Sequence, residues 1–158
     1  MKQVLLLALS LVLAACSTGA SALVAPTEPA TPATPQEQWQ AANLTHYRFK
    51  LHLSCFCASR DQMPLTVEVQ DGKVVSIVDV KGTVITAEDP SFEFFSKFAI
   101  IDTIFAEIET ASASENHGDI NVTYDPTLGY PTDVALDYDI MMADEELYLT
   151  ITDFEQLP

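Results

Sequence analysis

Three cysteines, three histidines and twenty-three carboxylates are the side chains of this 158-residue chain with chemistry to offer, and their placement is uneven. Cys16 ends an apolar run. Lys2 supplies a minimal positive start, Val4 to Ala15 carry no charge, and Leu13-Ala14-Ala15-Cys16 reads as a lipobox. Small residues before the cysteine suit a peptidase that takes a narrow, extended substrate. The chemistry is acylation: cleavage before Cys16 would leave a lipidated thiol on a new N-terminus. The run falls short of the ~20 apolar residues that span a bilayer. Residues 1–15 are therefore predicted to be a targeting segment outside the fold. An ordinary secretory signal cut at Ala20-Ser21-Ala22 would discard Cys16, but its place at the end of the apolar run favours the lipoprotein. Ser17, not an aspartate, follows Cys16. In a Gram-negative host this points to the periplasmic leaflet of the outer membrane.

Cys55 and Cys57 remain. An even count in an oxidising compartment suggests pairing. Two apart on a regular strand, they share a face at ~6.5 Å between Cα atoms, near the upper limit for a disulfide. A bridge would need a bulge or a strand end, and Phe56-Cys57-Ala58-Ser59 looks like such an end. Three readings stand. One is a local disulfide that terminates the strand. Another is a soft-metal site joined by His52 or His46, although His52 faces away from the cysteines in a regular strand. The last is a redox-active pair, without the helix dipole that lowers the thiol pKa in Cys-x-x-Cys motifs. Met141-Met142 could join the cysteines on copper(I), or could be one loop and one core residue. His46, His52 and His117 show no ligand spacing. There is no Gly-x-Ser-x-Gly nucleophile turn and no glycine-rich phosphate loop. No cofactor and no catalytic activity are expected.

The formal net charge is −16, from seven Lys and Arg against 23 Asp and Glu. No Lys or Arg follows Lys97, while Asp102 to Glu155 supply fourteen carboxylates. Such a surface repels nucleic acid and anionic headgroups, which excludes both as partners. Asp133, Asp137 and Asp139 are predicted on the outward face of the fifth strand, with Asp144, Glu145 and Glu146 in the next turn. A divalent-cation patch or a dock for a basic partner is one reading. A solvated sheet face that blocks edge pairing is the other. The stretch lacks the Asp-x-Asp-x-Asp-Gly register of a calcium loop.

Definite elements must position these groups. Pro26, Pro29, Pro32 and Pro35 recur every third residue, which lines one face of a polyproline II rod. Residues 17–34 thus read as a Pro/Thr/Ala-rich tether reaching ~3.1 Å per residue. Residues 35–158 have the size of one domain. Thr34, Pro35 and Glu37 form a capping box that opens a short helix, anchored by Trp39. Tyr47 to Cys57 alternates as a half-buried strand. Leu65, Val67 and Val69 continue the pattern, Asp71-Gly72 marks a type I′ hairpin, and the return strand runs from Lys73 to Val80 with Val74, Val78 and Val80 inward. Asp89 is predicted to cap one long helix whose stripe includes Phe94, Phe98, Ile101, Phe105 and Ile108. Strands over Ile120–Tyr124, Thr132–Ile140 and Glu146–Phe154 close the chain. The fold class is α+β, a single domain with an antiparallel β-sheet packed on one long helix, in the order α-β-β-β-α-β-β-β.

Between the fourth and fifth strands, Asp125-Pro126 starts a turn, Gly129 permits positive φ and Pro131 keeps Tyr130 extended. This is a rigid connection, or else Tyr130 is an aromatic presented to a ligand. Trp39 before Tyr47-x-Phe49, Cys55-Phe56-Cys57, the Asp71-Gly72-Lys73-Val74 hairpin, Phe105 near Ile108, Tyr124-Asp125-Pro126-x-x-Gly129-Tyr130-Pro131 and Asp144-Glu145-Glu146 together resemble a bacterial domain-of-unknown-function family of envelope lipoproteins and secreted proteins. The resemblance covers about Trp39 to Leu157. It implies an envelope location and carries no activity or site residue. Anchor, spacer and acidic surface lead us to expect a non-catalytic binding or accessory module, held to the membrane by its N-terminal lipid and docking an envelope protein. The alternative is a thiol/disulfide or soft-metal protein using Cys55 and Cys57.

Overall fold

The computed structural model describes residues 33–57 and 60–158. The predicted signal segment, Cys16 and all of the predicted tether but Ala33 and Thr34 lie outside the described residues.

The first helix, α1 (Pro35–Ala42), starts as its sequence requires. Thr34 Oγ1 accepts from the Glu37 N–H at 3.2 Å, and the Glu37 carboxylate accepts from the Thr34 N–H at 2.7 Å. Two of the amides that a helix start leaves unpaired are satisfied this way. Trp39 is buried and meets Tyr47, Tyr130 and Phe154 edge-on.

Strand β1 (His46–Ser54) alternates as expected: Tyr47, Phe49, Leu51 and Leu53 are buried, while Lys50, His52 and Ser54 are exposed. It pairs antiparallel with β2 (Leu65–Gln70), which turns through Asp71 and Gly72, at φ 51° and 70°, into β3 (Lys73–Val78). Both φ values are positive, as a two-residue primed turn demands. On its other side β1 pairs with β6 (Leu147–Gln156), followed by β5 (Pro131–Leu136) and β4 (Ile120–Tyr124). The six-stranded antiparallel sheet has the order β3-β2-β1-β6-β5-β4. One face meets Phe95, Phe98, Ala99, Ile101, Ile104 and Phe105 from the helical segments in a continuous core.

Several expectations need correction. The one long helix is two: α2 (Phe92–Ser96) and α3 (Ile101–Ser112), separated where Ile100 is extended. The order is therefore α-β-β-β-α-α-β-β-β, with a short 3₁₀ turn at Arg60–Gln62. Residues 98–101 are all apolar, and in a continuous helix four successive positions point all around the axis. The break lets Phe98, Ala99 and Ile101 all be buried. Tyr47 takes over the capping, since its hydroxyl accepts from the Ile101 N–H at 3.4 Å. Asp89 does not cap α2 directly; its carboxylate accepts from the Ser91 N–H, and Ser91 is the N-cap. In β3 the register shifts opposite Glu68/Val69, so Ile77 is buried and Val80 is exposed. One extra residue reverses which side chains face the core.

Candidate functional site

The helices cover one sheet face, and the opposite face carries Arg48, Lys50 and His52 from β1, Thr66 and Glu68 from β2, Tyr148 and Thr150 from β6, and Asp133 and Ala135 from β5. The basic and acidic halves of the chain meet there. Arg48 contacts Glu155 at 2.7 Å and Lys50 contacts Asp153 at 2.7 Å, because β6 and not β5 lies beside β1. At the margin, His46 Nε2 lies 3.1 Å from Glu68 and Nδ1 lies 2.9 Å from the Pro158 carbonyl. The carbonyl first and then the Glu68 carboxylate favour the protonated ring and raise the His46 pKa.

Cys55 and Cys57 leave the strand. β1 stops at Ser54, and a bend brings the two Cα atoms to 5.2 Å and the sulfurs to 2.03 Å, disulfide distance. Of the three readings, the strand-terminating bridge matches this geometry. His52 lies on the open face, and His46 is bonded at the far end of β1, so neither joins the sulfurs. Phe56, between the cysteines, is 79% exposed.

The four candidate aspartates do not converge. Asp133 is exposed on β5, and its carboxylate accepts from the Thr150 hydroxyl at 3.4 Å. The strand ends at Leu136, so Asp137 and Asp139 leave the expected outward row. Asp139 accepts from the Met141 N–H, and Asp144 holds a left-handed φ of 68° in the loop before β6. Among the described residues, no group of three or more His, Cys, Asp or Glu side chains is placed to hold a metal ion. This geometry lends no support to a divalent-cation patch at Asp133, Asp137, Asp139 and Asp144.

Tyr130 is not presented to a ligand. It is 8% exposed, stacks on Phe154 at 4.4 Å between ring centres and meets Trp39. Its loop is a positioning device. The Asp125 carboxylate accepts from the Thr127 and Leu128 amides, and Gly129 sits at φ 78° where a Cβ would collide with the Pro35 carbonyl. Close packing of α1 on this turn explains the glycine and holds Trp39 and Tyr130 together.

Groups that composition passes over occupy the open side. Tyr148 is 56% exposed, with Ser54 and Ala135 as cross-strand neighbours. Two clefts flank it. One, of about 290 Å³, includes Cys55, Phe56, Arg60, Asp144 and Glu146 in its lining; the other, of about 270 Å³, includes Asp119, Asn121, Asp137 and Glu146. The alternation of Leu147, Leu149 and Ile151 is the signal in the sequence that sends Tyr148 outward. Arg60 and Phe56 have no such signal, because a chain bend places them. Aromatic faces among carboxylates favour basic side chains through cation–π contacts and charge-assisted hydrogen bonds. No helix among the described residues is long and apolar enough to cross a membrane.

Residues 32–156 match a family described as a family of unknown function (DUF6174). No curated protein and no solved structure matches the chain.

Proposed function

The chain belongs to that family of unknown function, and from this premise we propose that it is a bacterial envelope lipoprotein whose folded part binds a protein partner and performs no catalysis. The membrane half of the proposal rests on the Leu13-Ala14-Ala15-Cys16 segment and the proline-spaced tether. The binding half rests on one observation: a sheet face that no helix among the described residues covers carries an exposed Tyr148, and an exposed Phe56 sits at its end. Contiguous exposed apolar surface marks interaction sites, and tyrosine is enriched among the residues that dominate binding energy. The test is in-cell crosslinking of the full-length chain, followed by repeated isolation from solubilised envelopes. One partner should recur in stoichiometric amount and be lost in Tyr148→Ser. Repeated isolation of the chain alone contradicts the proposal.

A second reading has its own observation: Cys55 lines a cleft beside Tyr148, with Phe56 exposed next to it. A partner thiolate could attack one sulfur there, form a mixed disulfide and release the other cysteine as a thiolate. A second thiol of the partner would then displace the reduced pair, leaving the partner oxidised. Trapping by alkylation in cells tests this. A pair that cycles between thiol and disulfide supports it, and a permanently oxidised, metal-free pair removes it, together with soft-metal binding.

A further inference from the structure

We infer that the β5–β6 loop is a preformed apolar knob, and that it docks into a protein partner whose receiving pocket is apolar and rimmed by basic residues. This deepens the binding reading above and rests on it. Ile140, Met141 and Met142 are 65%, 82% and 60% exposed, three large apolar side chains in a row. Such a run in a floppy loop would fold back onto the sheet or collapse on itself. Here the backbone is tied down. The Glu145 carboxylate accepts from the Tyr138 amide at 3.2 Å and from the Asp139 amide at 2.7 Å. The Asp139 carboxylate accepts from the Met141 amide at 2.9 Å, and the Asp139 carbonyl accepts from Met142 at 2.8 Å. The Ile140 amide donates to the Asn116 carbonyl at 3.0 Å, which ties the loop to the segment before β4. Tyr138 donates its hydroxyl to Glu107 of α3 at 2.9 Å. Side chains held outward in this way enter a partner with little further ordering cost.

The surround selects the occupant. Asp137, Asp139, Asp144, Glu145 and Glu146 belong to the same loop, and no Lys or Arg follows Lys97. Both oxygens of Glu145 are engaged, but Asp144 and Glu146 are exposed and line the cleft that also holds Phe56 and Tyr148. An anionic bilayer is repelled by this ring, whereas a basic protein rim is attracted to it. Methionine, flexible and polarisable, adapts to such a pocket.

The test uses the full-length chain and three probes: a fluorescent peptide of alternating leucine and lysine, its glutamate-for-lysine counterpart, and zwitterionic lipid vesicles. The lysine peptide should bind and weaken with salt. The triple variant Ile140→Ser/Met141→Ser/Met142→Ser should bind it roughly tenfold less tightly, the size of a single well-buried anchor. Its melting temperature should stay unchanged, since all three side chains are exposed. Glu145→Ala, which frees the loop and keeps its apolar side chains, should also weaken binding. The inference is overturned if the lysine peptide does not bind, or if the triple variant binds it as the parent does. It is also overturned if the vesicles bind the parent and not the variant, which would make the loop a membrane contact. None of these outcomes removes the recurring partner expected of the whole chain, so the two claims fail separately.

Discussion

Tyr47 joins three parts of the molecule through one side chain: its ring lies in the core beside Trp39 and Phe154, and its hydroxyl accepts from the first amide of α3. Burial pushes its pKa up to about 12, with Asp102 nearby adding to the rise against the Ile101 hydrogen bond. The hydroxyl is therefore neutral near pH 7. Tyr47→Phe should cost about 1–3 kcal/mol, the penalty of leaving a buried amide without its acceptor, measured by urea denaturation. A loss well below that would mean that Ile101 finds another partner. Gly129→Ala should cost more than about 1 kcal/mol, because a left-handed φ and a collision with the Pro35 carbonyl act together. An unchanged melting curve would contradict the close packing of α1 on that turn. At this scale the core side chains of β1 are legible from alternation alone, since a strand has two faces and only one is apolar. Tyr130 is not: the same Gly-Tyr-Pro spacing serves an exposed aromatic and a buried one, and only the position of Phe154 decides.

The elements show where local pattern stops being sufficient. Thr34-Pro35-Gln36-Glu37 and Asp71-Gly72 determine their caps and turns within four residues, so both are readable. The break between α2 and α3 has no glycine or proline to announce it. It follows from the wish of four successive apolar residues to reach one core, which is a tertiary cause. The bulge opposite Glu68/Val69 is likewise invisible in a run of valines, where every parity reads as apolar. The margin where β1, β2 and the C-terminal residues meet has a pH dependence that belongs to this scale. The His46 pKa is raised above its ordinary 6.5 by the Pro158 carbonyl and Glu68. Folding then favours proton uptake. The stabilisation is complete below about pH 6.5 and is lost as the pH rises through the higher folded value. Thermal melts between pH 6 and 8 should fall in this window by a small step that His46→Gln abolishes. The same slope in the variant would assign the effect elsewhere.

Across the whole molecule, charge is distributed with a purpose that the fold makes visible. β1 brings Arg48 and Lys50 against the acidic end of β6, while Asp133 of β5 and Asp144 and Glu146 of the loop between β5 and β6 are exposed. The lopsided acidity is legible in the sequence, but its segregation to one end of an open sheet depends on strand order. The clefts beside Tyr148 were illegible for the same reason: their walls join Cys55, Phe56 and Arg60 to Asp119, Asp137 and Glu146, which only topology brings together. The proposed anchor belongs to this scale too, because a tethered module meets its partners only within reach of a membrane. Everything proposed for the open face presupposes that location. The most direct measurement is the intact mass of the native protein extracted from membranes, with and without reductant and alkylation. Our account requires a chain that begins at an acylated Cys16 and gains alkyl groups at Cys55 and Cys57 only after reduction. A chain that is water-soluble and begins downstream of Cys16, or one that keeps Met1, would contradict it.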